Sequence, residues 1–337
     1  MCIAIATTNH PDYPFILLSN RDEFFKRPTK QTHVHNINPN PSITDDDNIK
    51  ILSPLDLARP EHGTWIGTTS NGKFAVLVNY REVDNQLGVN GEVSRGVLPL
   101  DYLSSNESDI EWKNKLNSRI DLSKIGGFTL LYGHLKINQQ TGKINPLSII
   151  SNRGHYGKIF ESETTTNGII GTSCDVKTNE DDDIIAISSK TFGLSNSLFN
   201  EPWNKVEIGE KLLDQLIKKA IVEKQSQQEI VTECFKLLSH NTYNPKYLDD
   251  NEFDTKLNEL KNSIFIPPLL RNEGYKLEST TIGKYYGTRT QTVILFDKFG
   301  NLNYYEKNIH KSDNLEEKDD TINHFKVNTN NNIIKKV

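Results

Sequence analysis

The sequence predicts an α+β fold in one domain, with strands towards both ends of the chain and helices between them. Three observations lead there. Short apolar runs separated by turn residues fill much of the first 80 positions. A strand–turn–strand pattern returns at 290–306. Between 203 and 264 the apolar residues instead fall at helical spacing.

Each element has its own signal. Residues 2–8, Cys2-Ile3-Ala4-Ile5-Ala6-Thr7-Thr8, form a short apolar run suited to a buried strand. A turn at 9–12 leads to a hairpin partner at 15–19, which ends in the charged cluster Asn20-Arg21-Asp22-Glu23. Residues 32–50 are rich in Asn, Pro and Asp and read as loop. Runs 64–69 and 73–80 flank Ser70-Asn71-Gly72, and Asn-Gly between apolar runs is a strong hairpin signal. Two short helices are expected from Ser94 and near Asp109, then strands at 128–134, 147–151 and 184–188, with the acidic stretch 175–183 as a solvated insertion. Helical spacing covers 203–222 through Val206, Leu212, Leu213, Leu216, Ile217 and Ala220. Ser226-Gln227-Gln228-Glu229 is a capping box opening a helix through Leu238, and 253–264 reads as another helix. The last hairpin joins 290–296 to 302–306. Residues 1–311 are therefore expected as one domain, and 312–337 as a loosely held polar tail.

Composition excludes several classes. The formal net charge of -5 gives no basic footprint for nucleic acid and no polybasic stripe for an anionic membrane. Three cysteines, Cys2, Cys174 and Cys234, are odd in number and widely spaced, which suits neither a disulfide framework nor a zinc site. No apolar run reaches membrane-span length, and residues 1–20 lack the pattern of a signal or transit peptide. The expectation is a cytoplasmic protein without a membrane span. His33 and His35 share one segment, but no acidic or cysteine partner supports a metal there. There is no P-loop, GxGxxG or haem-attachment motif.

The chemistry centres on Cys2. Cysteine is small enough for aminopeptidase to remove Met1. Processing would leave a thiol and an α-amine of pKa ~8 on one residue, a nucleophile with its own base. The same residue also suits the opening of a buried strand.

Further stretches extend the pattern: Asn20-Arg21-Asp22-Glu23-Phe24-Phe25 with Arg27-Pro28, Gly63-Thr64-Trp65-Ile66-Gly67, Val78-Asn79-Tyr80, Gly193-Leu194-Ser195-Asn196, Pro202-Trp203 and Tyr286-Gly287-Thr288-Arg289-Thr290. With Met1-Cys2-Ile3, and in this order, they resemble the NRDE family, also called the Transport and Golgi organisation protein 2 family. The resemblance runs from Met1 to about Glu306. It implies a four-layer αββα fold of the N-terminal-nucleophile hydrolase kind, with two stacked antiparallel sheets flanked by helices. It also implies a distant similarity to cholylglycine hydrolases. On that pattern Cys2 is the nucleophile, Arg21 and Asp22 the early pair, Asn79 and Asn196 the oxyanion or positioning amides, and Arg289 the late arginine. Those enzymes separate the early Arg and Asp, whereas here the two are adjacent. Adjacent strand residues face opposite sides, so both reach one site only where the strand ends or bulges.

The residues carry matching physics. Arg21 or Arg289 near Cys2 would favour the thiolate, and Asp22 could orient an amine. Asn79 and Asn196 could donate to an oxyanion. An ion pair, a strand-end cap, a turn or a plain loop explains each of them singly. Trp65 and Trp203 read as core or wall. Two functions follow. One is a thiol hydrolase acting on an amide or thioester of a small amphipathic substrate. The other, implied by the family, is intracellular trafficking of haem or of lipid and acyl-CoA, together with Golgi organisation. In that case haem is a transported ligand, no cofactor is required, and association with Golgi or mitochondria is peripheral.

Overall fold

The computed structural model describes residues 2–36, 49–82, 92–154, 157–159, 190–248, 253–271, 282–317, 319 and 321–337. The expected strand at 184–188, the acidic stretch 175–183 and Cys174 lie outside the described residues.

Two antiparallel sheets dominate. The first has the order β10 (Thr191–Leu194), β1 (Ile3–Thr7), β2 (Phe15–Phe24), β12 (Tyr285–Phe296), β13 (Asn301–Asn308), β14 (Ile322–Asn328) and β15 (Ile333–Lys336), with β11 (Leu269–Leu270) beside β12. The second runs β3 (Thr29–Asn36), β4 (Lys50–Asp56), β5 (Ile66–Thr69), β6 (Lys73–Asn79), β7 (Phe128–His134), β8 (Leu147–Ser151) and β9 (Gly157–Ile159). The hairpin turn between β5 and β6 needs Gly72 at φ 93°, a left-handed conformation that glycine adopts without a Cβ clash.

Strand alternation sorts side chains into three apolar layers. Phe15 and Leu17 of β2 join Phe74, Val76, Leu131 and Ile294 between the sheets. Their neighbours Ile16 and Leu18 face the other way, against Leu213, Ile217 and Cys234 of α3 (Asn204–Glu223) and α4 (Gln227–Leu238). Ala75, Leu77 and Leu130 of the second sheet pack on Leu98, Trp112 and Leu116 of α1 (Val97–Ser104) and α2 (Asp109–Arg119). The layers therefore run helix, sheet, sheet, helix, as expected. Helix starts follow capping chemistry. Ser108 and Ser226 both close full capping boxes, with Glu111 and Glu229. At the other end of α1, the buried Lys73 ammonium donates to the carbonyls of Tyr102 and Ser105 at 3.3 and 2.7 Å, capping the helix C-terminus with a cation.

Three expectations need correction. Residues 32–50 were expected as loop, yet they contain most of β3 and the start of β4. This edge is held by Glu306 of β13, which accepts from the Thr32 amide and hydroxyl at 2.9 and 2.5 Å and so ties the two sheets together. The polar tail after Lys311 carries β14 and β15, paired in register onto β13. Only Phe325 and Val327 of that segment are large buried hydrophobics, so its composition hides a strand that is half exposed. The helix expected over 253–264 is α5 (Phe253–Asn258) followed by a single 3-10 turn, Glu259–Lys261. No helix among the described residues is long and apolar enough to cross a membrane.

Candidate active and ligand-binding site

β1 and β2 pair antiparallel, so Ile3 lies opposite Asn20 and Cys2 is carried beside the Asn20–Glu23 cluster. β10 lies on the other side of β1, and the segment after it passes Cys2, where the Ser195 hydroxyl donates to the Cys2 carbonyl at 3.0 Å. A cleft of about 690 Å³ opens at this end of the sheets. Cys2, Arg21, Asp22, Asn79 and Asn196 all line it. Five of the six expected site residues therefore converge.

The partner strand carries a bulge opposite Arg21 and Asp22. β12 pairs Thr288 with Asp22 and Thr290 with Arg21, leaving Arg289 as the extra residue. Bulges sharpen local twist and re-aim side chains, and both residues reach the cleft. Arg21 stacks over the Trp65 ring at 4.2 Å and lies 3.6 Å from Asp56 and 3.8 Å from Glu23. Asp22 accepts from the Thr288 hydroxyl at 2.7 Å. Thr288 is held by a two-way bond with Ile266, and Gly287 is required beside it, since a Cβ there would sit 2.8 Å from the Pro267 carbonyl oxygen. Burial pushes the Asp22 carboxyl above the usual carboxylate range, opposed by Lys205 and Arg21.

Arg289 does not line the cleft. It is buried, and its guanidinium donates to the carbonyls of Phe24 and Arg27 at 3.2 and 2.6 Å. Burial, reinforced by Arg21, pulls it down to about 10. It clamps the chain where β2 leaves the sheet and acts on the site from behind. Asn196 also carries a structural load. Its side-chain amide donates to the Asn79 carbonyl at 2.5 Å, while its own carbonyl accepts from the Arg81 amide at 2.9 Å. These bonds lace the 194–197 segment to the end of β6.

The sequence reading missed several residues. Arg27, Arg59, Arg81 and Arg95 line the same cleft as Arg21, against the carboxylates Asp22, Glu23 and Asp56. Arg27 stood in one of the ordered stretches without a site role, whereas Arg59, Arg81 and Arg95 carry no periodicity and announced nothing. Arg27 lies 2.8 Å from Asp56, and Arg95 donates to the Gly127 carbonyl at 3.0 Å. Lys205, in the first turn of α3, is fully buried with its ammonium 4.0 Å from Asp22. A signal for it did exist: Lys205, Gly209, Leu213 and Ile217 fall at i, i+4, i+8 and i+12, so a lysine occupies the buried stripe.

The two described cysteines differ as expected. Cys2 is half-buried in the cleft wall, whereas Cys234 is fully buried in α4, where burial pushes its thiol up and leaves it inert. Among the described residues no group of three or more His, Cys, Asp or Glu could hold a metal ion. His33 and His35 lie with ring centroids 5.0 Å apart on β3, His35 bonded to the Ser53 hydroxyl at 2.9 Å. Burial and neighbouring His33 lower His35 to about 4. Its unfolded value is higher, so its contribution to stability is complete above about pH 6.5 and is lost as pH falls towards 4. Thermal melts should show that acid loss reduced in His35→Gln relative to wild type; equal losses in the two proteins would count against it.

The model of the family described as Transport and Golgi organisation 2 matches residues 1–311. The Saccharomyces cerevisiae protein YGR127W, described as uncharacterized, is 31% identical over 326 residues, covering 93% of each chain. The human Transport and Golgi organization protein 2 homolog is 24% identical over 311 residues, covering 89% of this chain and 88% of its own. Among solved structures, a conjugated bile acid hydrolase from Clostridium perfringens aligns with 100% of this chain and 96% of its own at 12% identity, with a TM-score of 0.36. With a family match over residues 1–311, which takes in the cleft and every residue gathered around Cys2, this chain belongs to the Transport and Golgi organisation 2 family.

Proposed function

We propose that the cleft around Cys2 binds a small amphipathic ligand bearing a carboxylate or phosphate, with haem and acyl-CoA the best-suited classes. The protein then serves intracellular trafficking of that ligand, in the cytosol or on the cytosolic face of the Golgi or mitochondria. One observation carries this reading. Five arginines, Arg21, Arg27, Arg59, Arg81 and Arg95, face three carboxylates in a cleft also walled by Phe24, Trp65, Leu77, Tyr80, Val93 and Tyr286. A cationic surplus beside aromatic and aliphatic walls suits an anionic head on an apolar body. The names of the mammalian relatives, which print transport and Golgi organization, support the transport and Golgi side of the role.

A second reading has its own support. Cys2 shares the cleft with Asp22, Asn79 and Asn196, which is the chemistry of a thiol hydrolase acting on an amide or thioester. One variant separates the two. In a carrier, Cys2→Ala still binds haem or acyl-CoA and still delivers it to an acceptor protein. In a hydrolase, the same variant binds but loses turnover on amide and thioester substrates. Wild-type protein with neither saturable binding nor turnover removes both readings.

A further inference from the structure

Two arginines of the cleft are engaged in different ways. Arg21 is buried over the Trp65 ring, with Asp56 Oδ2 at 3.6 Å and Glu23 Oε2 at 3.8 Å. Those distances give Coulomb attraction without a hydrogen bond. Arg21 donates no hydrogen bond to any described residue, so its N–H groups are left to the cleft. Arg27 is committed. Its Nε–H donates to Asp56 Oδ2 at 2.8 Å, and Glu23 Oε2 lies 3.6 Å away.

Both carboxylates are fixed by backbone. Asp56 Oδ1 accepts from the Ala58 amide at 3.0 Å, and Glu23 Oε1 accepts from the Phe24 amide at 2.9 Å. Each then turns its second oxygen towards the same two guanidiniums. The fold sets this up. Arg21 and Glu23 are two apart on β2 and share a face. β3 begins at Thr29 opposite Asp56, the last residue of β4, so the short stretch between β2 and β3 carries Arg27 to Asp56. The Arg27 main chain is clamped: its amide donates to the Phe24 carbonyl at 3.1 Å, and its carbonyl accepts from Arg289 at 2.6 Å. Its side chain is 24% exposed, so the guanidinium can turn without shifting either strand.

We propose that Asp56 is a built-in competitor for the ligand's anionic group. The oxyanion docks on the N–H groups of Arg21 and takes the Arg27 Nε–H from Asp56 Oδ2. Arg27 makes the exchange, because Asp56 is pinned to Ala58. No covalent bond changes and no proton moves. Asp56 thereby sets which ligands are held. An anionic head must outweigh a charge-assisted hydrogen bond already in place, and a neutral amphiphile has nothing with which to displace it. The inference rests on the reading of the cleft as the seat of an anionic amphiphile.

The test is calorimetric titration of the full chain with dodecyl phosphate, kept below its micelle concentration. Asp56→Asn should bind it about tenfold tighter than wild type, because the phosphate gains the Arg27 hydrogen bond without a charged rival. Asparagine can still accept from the Ala58 amide, and matching thermal melts check that the fold is kept. Arg27→Met should weaken binding and cancel the gain. In that background, Asp56→Asn should change affinity by less than about threefold, the sign of coupled residues. A charge acting only through its long-range field would give the same gain in both backgrounds, and that result overturns the exchange. Equal or weaker binding by Asp56→Asn overturns it too. Wild-type protein offers a check that needs no variant. The 15Nε–H resonance of Arg27 should shift on saturation with dodecyl phosphate, as its acceptor changes from carboxylate to phosphate; an unmoved resonance contradicts the proposal. Should dodecyl phosphate bind neither protein saturably, the reading of the cleft falls and the inference with it. Should it bind wild type and Asp56→Asn alike, only the competitor falls.

Discussion

Arg21→Met is expected to weaken binding of haem or an acyl-CoA about a hundredfold. Arg21 is almost fully buried, stacked on Trp65, and points into the cleft between Asp56 and Glu23. Truncating one partner of a buried charged contact costs about 2–5 kcal/mol, and each 1.4 kcal/mol is about tenfold in affinity. The loss has two parts here. The ligand's anionic group loses a planar donor, and Asp56 and Glu23 lose a cation that shields the ligand from them. Arg21→Lys should recover part of the affinity, since it restores charge but not the flat stack on Trp65. Quenching of tryptophan fluorescence on titration with ligand measures all three proteins. Equal affinities would show that the head group binds elsewhere.

Arg289→Met should have the largest effect on stability, about 3–5 kcal/mol. Its guanidinium makes two hydrogen bonds to backbone carbonyls, of Phe24 and Arg27, in a nearly buried setting. Hydrogen bonds to a charged group contribute about 1.5–3 kcal/mol each, and the carbonyls left behind pay their desolvation. The bulge that Arg289 creates opposite Arg21 and Asp22 would relax as well. Urea denaturation should show the loss, together with faster exchange of the amides from Phe24 to Arg27. Should stability hold while ligand affinity collapses, Arg289 would belong inside the cleft after all.

The contrast between these arginines shows what the sequence can carry. Hairpins were legible because apolar runs and turn residues act locally, as at Ser70-Asn71-Gly72, and the start of α4 was legible from the Ser226 box. Cys2, Arg21, Asp22, Asn79 and Asn196 were legible as a set through ordered stretches, and the cleft brings them together. The role of Arg289 was not legible. Whether a guanidinium faces a ligand or two carbonyls depends on a one-residue register shift between β2 and β12, which no local pattern encodes. β14 and β15 were hidden for a related reason: these last two strands of the sheet carry few buried apolar residues, and Phe325 and Val327 on a charged segment look like a tail. Lys205 broke an apolar helical stripe, and such a break is the kind of local conflict that marks a functional position.

Ligand protection of the Cys2 thiol reports directly on whether an anionic amphiphile is held against it. Native protein is alkylated with and without saturating haem or acyl-CoA, and labelled peptides are mapped. Cys2 should label ahead of Cys234, which is sealed in the core of α4. Bound ligand should slow labelling of Cys2 at least tenfold, while Cys234 stays unlabelled until the protein unfolds. Labelling of Cys2 at an unchanged rate under saturating ligand would place the ligand outside this cleft.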